Sequence, residues 1–408
     1  MAILKIIKDK SLNYVPHILT SGISSGVKRK NKKDLCVIYS EVEAVAAGVF
    51  TTNKAKAAPV ILSLENIKNY NTQAIVINSG VANACTGEIG LKNGKDTIEC
   101  ISKCLNIKKE EIIIESTGII GKQLPMELII EGIKKGCKSL SKENSLDPAE
   151  AIKTTDTFVK AITVEEEIDG KTIIISGIAK GSGMIHPNMA TMLSNLVTNV
   201  NITKEMLQKA LKDSVEDTYN MISVDGDTST NDMVVVLSNK TANNKIIDCE
   251  NEDYKIFKKV LDYVNVNLAK MIAKDGEGAT KLVEVNVENA KTIESAKKSA
   301  KSVVCSNLTK CALFGNDANW GRIICALGYS KAELDVEKVD VYIKSLKGKI
   351  KIVEDSVELN FDEDKVKDIL NSKEVILIID LKSGDKNASA WGCDLSYDYV
   401  KINGSYRS

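Results

Sequence analysis

The amino-acid sequence predicts an α/β or α+β protein of layered sheets and helices. Two observations carry the prediction. Short apolar runs rich in Val and Ile recur along the chain, and amphipathic stretches of helical period alternate with them. Elements with one apolar face must bury it against another layer. The 408 residues are enough for two domains.

The strands expected, in order, are Ala74–Asn78, Ile112–Glu115, Thr172–Ser176, Met233–Leu237, Leu282–Val287 and Val375–Asp380, each rich in β-branched residues. The expected helices are Met126–Leu140, Thr203–Asn220, Tyr254–Ala273, Ala296–Cys311 and Glu363–Leu370. In the second, Met206, Leu207, Ala210, Leu211 and Val215 share one face. Asp169–Gly170, between Ala161–Ile168 and Lys171–Ser176, predicts a hairpin, because Asp-Gly suits the positive φ angles of a type I′ turn. The pattern contains no short internal repeat and no low-complexity linker, and the loop at 180–190 is the best internal division.

Composition excludes several classes. Lys+Arg and Asp+Glu both number 55, so no basic surface argues for nucleic acid or an anionic membrane. No apolar run approaches a membrane span, and the N-terminal MAILKIIKDKSLNYV lacks a continuous apolar core and a small-residue cleavage site. A cytoplasmic protein is expected. The ten cysteines (Cys36, Cys85, Cys100, Cys104, Cys137, Cys249, Cys305, Cys311, Cys325, Cys393) form no CxxC pair. Cys100 and Cys104 are spaced for one helix face rather than for zinc. Buried reduced thiols and no metal are expected.

The chain holds only two histidines, His17 and His186, whereas a Ser-His-Asp or Cys-His enzyme needs a positioned imidazole. An α-amine titrates at about 7.7–8 and can serve as base instead. The run KGSGMIHPNMATML (Lys180–Leu193) suggests how one would arise. Cutting Ala190–Thr191 gives Thr191 a free amine beside its hydroxyl, so that nucleophile and base share one residue. Gly181, Gly183 and Pro187 allow an unusual backbone path there. The same letters also fit a glycine-rich loop entering a strand with Thr at its edge, and the residues alone favour that plainer reading.

Ile112–Gly121 reads as a strand running into a glycine turn, whose N–H groups or hydroxyl can face an oxyanion; it also reads as an ordinary strand exit. NSGVANACTG (Asn78–Gly87), SVDGDTSTND (Ser223–Asp232), DGEGAT (Asp275–Thr280) and FGNDANWGR (Phe314–Arg322) are each a ligand loop or a turn. SVDGDTSTND lacks the EF-hand spacing and its closing Glu, and KGSGM lacks the Walker order.

Taken in order, AAGVFTTNKAKAAPV (Ala46–Val60), NSGVANACTG, ESTGIIG (Glu115–Gly121), TTDTF (Thr154–Phe158), IAKGSGMIHPNMATML (Ile178–Leu193), VDGDTSTND, DGEGATK (Asp275–Lys281), FGNDANWGR and INGSYRS (Ile402–Ser408) resemble the glutamate N-acetyltransferase, or ornithine acetyltransferase, family over essentially the whole chain. The resemblance implies an α/β layered fold of the kind shared with self-processing aminopeptidases. It implies transfer of acetyl from N2-acetyl-L-ornithine to L-glutamate in arginine biosynthesis, with acetyl-CoA a possible second donor and no bound cofactor. It implies self-cleavage at Ala190/Thr191 into an alpha chain, 1–190, and a beta chain, 191–408, held together as a heterotetramer of two of each.

Carried over by position, Thr191 is the acetylated nucleophile, and Thr117 and Gly118 form the oxyanion pair. Thr154 (with Thr155 as second choice), Lys180, Thr191, Glu277, Asn403 and Ser408 are the substrate-contacting positions. Two positions depart from the family pattern: Val81 stands where Asn is common, and Ser408 stands where Thr is common. An aminopeptidase or amidase of the same superfamily, passing the acyl group to water, is the alternative activity.

Overall fold

The computed structural model describes residues 4–29, 31–143, 145–186 and 192–405. The chain packs as two compact units. One comprises Met1–Gly181, Pro187–Asn220 and Thr228–Leu268, and the other Ser182–His186, Met221–Asp227 and Ala269–Ser408. These boundaries reflect packing, whereas the expected segments 1–190 and 191–408 are defined by a covalent cut.

The first unit holds two sheets. The six-stranded sheet runs in the order Lys5–Ile6, Lys160–Ile168, Lys171–Lys180, Leu193–Thr198, Met233–Ser238, Val45–Phe50. The predicted hairpin is present: Asp169 and Gly170 have φ of 52° and 67° and join Lys160–Ile168 to Lys171–Lys180. The two strands from beyond residue 191, Leu193–Thr198 and Met233–Ser238, are inserted between Lys171–Lys180 on one side and Val45–Phe50 on the other. The Gln208 amide donates to the Gly48 carbonyl (3.1 Å) and accepts from its N–H (3.0 Å), which occupies edge groups of Val45–Phe50 that would otherwise be open to pairing.

The four-stranded sheet runs Ile18–Ile23, Leu35–Ser40, Ala74–Val81, Ile112–Ile119. Its strands are buried at nearly every position because both faces are covered. Cys36, Ile38, Ile75, Ile77 and Ile113 face a core shared with Ala46, Ile178, Val197 and Val235 of the six-stranded sheet. Leu35, Val37, Val76, Ile112 and Ile114 face the other way, onto Ile98 and Ile101 of helix Gly87–Leu105 and Ile129 and Ile133 of helix Met126–Lys138. The period-two alternation of a strand thus feeds two cores.

The second unit is built on a seven-stranded sheet in the order Ile222–Ser223, Lys386–Cys393, Leu282–Ala290, Glu374–Asp380, Asp340–Ser345, Gly348–Glu354, Val357–Glu358. Helix Ile293–Cys305 lies on it so closely that a Cβ on Gly392 would come within 2.7 Å of Val304. The expected single helix Ala296–Cys311 is two helices, Ile293–Cys305 and Asn307–Phe314. Ser306 makes the break: its backbone is extended and its hydroxyl accepts from Thr309 N–H, so it caps the second helix instead of continuing the first.

The cysteines correct a second expectation. Cys36 and Cys393 are buried, but Cys85, Cys104, Cys249, Cys311 and Cys325 are exposed. Each of these five sits on an exposed helix face or in a loop, so a hydrophobic residue type did not ensure burial. Among the described residues no helix is long and apolar enough to cross a membrane.

Candidate active site

Thr117 and Gly118 lie on strand Ile112–Ile119, which runs through them and does not stop at Glu115 as expected. The extension has a steric cause. Gly118 (φ 127°) pairs with Gly80 (φ 108°) at a shift in register, and a Cβ on Gly118 would come within 2.3 Å of the Gly80 carbonyl carbon. Two glycines let the strands stay paired through this close approach. Asn231 ties in a third motif, its amide donating to the carbonyls of Ala82 (2.6 Å) and Ser116 (2.8 Å). ESTGIIG, NSGVANACTG and the latter half of VDGDTSTND therefore meet at one place. Val81 is 2 % exposed and belongs to the apolar cluster under the four-stranded sheet.

Lys180 ends strand Lys171–Lys180 opposite Leu193 and is 8 % exposed. Its ammonium donates to Thr117 Oγ1 at 3.2 Å. The residue after it, Gly181, donates its N–H to Asp156 Oδ1 (2.8 Å), and Thr154 N–H reaches Asp156 Oδ2 (2.9 Å). Lys160 Nζ completes the group at 2.6 Å from Asp156 Oδ1, with both side chains closed to solvent. Burial opposes charge on Asp156, but the ammonium groups of Lys180 and Lys160 overcome it and hold the carboxyl well below the usual range. Asp232 is buried too; desolvation raises it well above the ordinary value against the weaker pull of Ser229 and Lys180. Glu115 is pushed up to about 8 by burial, with only the Asn195 amide (3.0 Å) favouring its charge.

In the second unit, Glu277 sits in the loop DGEGATK, 7 % exposed, and accepts from Asn403 Nδ2 at 2.8 Å. Asn403 lies on helix Tyr397–Gly404, and Ser396 just before it donates to the Gly278 carbonyl (2.6 Å). Gly278 has φ 70°, and a Cβ there would stand 2.5 Å from Tyr399 N. Gly183 is required for a different reason: its Cβ would lie 2.4 Å from Glu277 Oε2. Lys281 joins DGEGATK to FGNDANWGR, donating to the carbonyl of Leu313 (2.6 Å) and to Asn316 Oδ1.

The residues ahead of the expected cut are held within this unit. Asp225 accepts from Met184 N–H (2.6 Å) and Ile185 N–H (2.8 Å), and Ser182 donates to the Asp275 carbonyl (2.6 Å). His186 Nδ1 lies 3.1 Å from Ser223 Oγ and 3.6 Å from Cys305 Sγ. Burial, then Lys301, pushes the imidazole down to about 4, so it is neutral at neutral pH.

Of the sequence-predicted site residues, the first unit brings together Thr117, Gly118, Lys180 and the backbone of Thr154, and the second brings together Glu277 and Asn403. Ala190, Thr191 and Ser408 lie outside the described residues. Thr154 and Thr155 are both half-buried, so exposure does not choose between them. Asp156, Asn231 and Asp225 were not singled out from the sequence. The signal for Asp156 was a charged pair, Asp156 and Lys160, in a segment with no helical pattern to solvate it.

Three comparisons place the chain among known proteins. Residues 19–408 match the ArgJ family. The arginine biosynthesis bifunctional protein ArgJ 1 of Clostridium acetobutylicum is 55% identical over 408 residues, covering 100% of both chains. ArgJ of Caldanaerobacter subterraneus subsp. tengcongensis is 54% identical over 402 residues, 98% of this chain and 100% of that one. Among solved structures, ArgJ of Bacillus halodurans has 44% identity and a TM-score of 0.49, over 51% of this chain and 96% of its own. The family match over residues 19–408 and the 55% identity to the Clostridium acetobutylicum protein over the full length show that the chain belongs to the ArgJ family.

Proposed function

We propose that the protein is a glutamate N-acetyltransferase of arginine biosynthesis. It moves acetyl from N2-acetyl-L-ornithine to L-glutamate through an acetyl-Thr191 intermediate. The observation that carries this reading is the cation beside the expected oxyanion pair: Lys180 Nζ lies 3.2 Å from Thr117 Oγ1, at the end of the strand that leads into the Thr191 loop. Family membership and the printed names of its relatives support it.

In the proposed reaction, the chain first cleaves at Ala190/Thr191. The Thr191 hydroxyl, its proton taken by its own amine, then attacks the acetyl carbonyl, and the oxyanion is stabilised at Thr117 and Gly118. Ornithine leaves, glutamate enters, and the acetyl group passes to its amine. Lys180 takes the α-carboxylate as a point charge. Glu277 is assigned to the ornithine side-chain amine, and Asn403, Ser408 and Thr154 to further polar contacts. The relatives' description as bifunctional favours acetyl-CoA as a second donor. A cytoplasmic heterotetramer of two alpha and two beta chains completes the reading.

Intact-mass measurement tests it. Purified protein is expected as two fragments divided at Ala190/Thr191, and Thr191→Ala as one uncut, inactive chain. Brief exposure to acetylornithine should add one acetyl group to the 191–408 fragment. A full-length species with full activity would sink the amine-as-base mechanism. Release of acetate without any need for glutamate would favour the hydrolase.

A further inference from the structure

The two sheets of the first unit meet across an apolar core, and a polar contact lies inside it. Strand Ile112–Ile119 turns Ile113 into that core, and strand Leu193–Thr198 turns Leu193 and Val197 into it. By the period of two, Glu115 and Thr117 share the face of Ile113, and Asn195 shares that of Leu193 and Val197. There Asn195 Nδ2 donates to Glu115 Oε2 at 3.0 Å, with both side chains buried. In register, Glu115 stands beside Ile77, and Asn195 between Ile178 and Val235.

That bond leaves two atoms over. Glu115 Oε1 and Asn195 Oδ1 are the other oxygens of the same two groups, and neither has a hydrogen-bond partner among the described residues. A carboxylate facing an amide would bury two acceptors with no donor between them, a costly arrangement. A carboxylic acid facing an amide has no such deficit: the amide N–H donates to one oxygen, the acid O–H to the other, and two bonds close a ring. The surroundings agree, since burial pushes Glu115 up to about 8 against the Asn195 amide. Cys36, in line with Glu115 across Ile77, also feels it, and burial raises that thiol. A cavity of about 10 Å³ is lined by Glu115 and not by Asn195, so a water there would serve one of the two oxygens only.

The place of the pair gives it a task. Thr117 follows Glu115 by two residues, and the expected nucleophile Thr191 precedes Asn195 by four. Apolar contacts between sheets are not directional and do not fix their offset. A paired acid and amide admit one register. After the expected cut at Ala190/Thr191 the two groups belong to different polypeptides, so their bonds join the chains beside the site. We infer that Glu115 keeps its proton and closes an acid–amide pair with Asn195, and that this pair positions the strand of Thr117 and Gly118 against the strand that follows Thr191. The positioning role rests on the acetyl-transfer reading; the proton does not.

The test compares the wild type with Glu115→Gln, Asn195→Asp and the exchange Glu115→Gln/Asn195→Asp. Infrared spectra at neutral pH read the proton: the wild type is expected to show the band of a buried protonated carboxyl that Glu115→Gln lacks. The kcat and KM for acetylornithine and glutamate, taken per folded and cleaved molecule, read the positioning. Glu115→Gln keeps both bonds as an amide pair and should retain kcat. Gln cannot ionise, so its activity relative to the wild type should rise as pH passes about 8. Asn195→Asp sets two carboxyl groups together and should lower kcat about 100-fold with KM little changed, the scale of a small misplacement of reacting groups. The exchange restores one acid and one amide and should recover most of that loss. Absence of the carboxyl band overturns the inference. So does an exchange variant no better than Asn195→Asp, and so does a loss confined to KM or to the urea midpoint, which would make the pair scaffold alone. If Asn195→Asp does not fold, the exchange decides: folding with near wild-type kcat supports the pair, and failure to fold overturns it. If the wild-type enzyme transfers no acetyl group, the functional reading fails and the positioning role with it, while the infrared band still decides the proton.

Discussion

Asp156 and Glu115 are both acids shut away from water in the same unit, and their charge states are opposite. Asp156 stays ionised because two ammonium groups and two backbone N–H groups face it. Glu115 has one amide donor on Oε2, and its Oε1 has no hydrogen-bond partner among the described residues, so burial wins and the acid is pushed up to about 8. Nearby positive charge, not depth, separates them. An acid three residues from Gly118 can be a neutral packing element while one reached from Gly181 is a charged anchor.

The largest expected effect comes from breaking the charged case. Asp156→Ala strands the Lys160 ammonium in the interior, and loss of one partner of a buried pair costs about 3–5 kcal/mol. Urea unfolding should show this as a lower midpoint. A midpoint unchanged from the wild type would mean that water reaches Lys160 and that the contrast is wrong.

An effect of at most comparable size is expected from the neutral case, with the opposite sign at alkaline pH. Unfolded glutamate titrates at about 4.3, whereas Glu115 in the folded protein does so at about 8. Its folded form therefore holds a proton that the unfolded form has lost. That contribution is complete below the unfolded value and is lost as pH rises to about 8, at no more than ~1.4 kcal/mol per pH unit. Glu115→Gln removes the dependence, so its thermal midpoint should gain on the wild type between pH 5 and 8. A constant difference across that range would refute the neutral assignment.

His186 gives the mildest test, a base in place of an acid. Burial and Lys301 push it down to about 4, below its unfolded value of about 6.5. The stability it contributes is present above the unfolded value and declines as pH falls through it toward about 4. Its imidazole resonance should keep the neutral chemical shift at pH 5. A shift there to the charged position would show that water reaches the ring.

Much of the fold was legible in the letters. The Ile- and Val-rich runs at 112–115, 172–176, 233–237 and 375–380 all lie in strands, and Asp169–Gly170 turns as its residue types require. Helix Gly87–Leu105 was not legible. It opens with Gly87, Gly90 and Gly94, which local propensity disfavours. Packing decided otherwise: a Cβ on Gly90 would come 1.9 Å from Thr86 Oγ1, and one on Gly94 would come 2.5 Å from Leu62. Strand Val45–Phe50, half alanine and glycine, was hidden in the same way, its place set by pairing with Met233–Ser238. At the candidate site, recognisable motifs marked Thr117, Gly118, Lys180 and Glu277. Asp156 stood unremarked inside TTDTF, because Gly181, the partner that ties it to the site, is adjacent to it only in space.

The interleaved sheet of the first unit has a consequence for assembly. Strand Leu193–Thr198 is hydrogen-bonded to Lys171–Lys180 before it, and Met233–Ser238 to Val45–Phe50. The proposed cut at Ala190/Thr191 would leave that sheet shared by two polypeptides. Pairing that was intramolecular when the precursor folded would become bimolecular if the cleaved protein unfolded. Regain of structure would then depend on protein concentration and lose the advantage of a short closing loop. The order of events matters for such a molecule: folding first, then cutting, reaches a state that the separate pieces would regain only slowly when dilute.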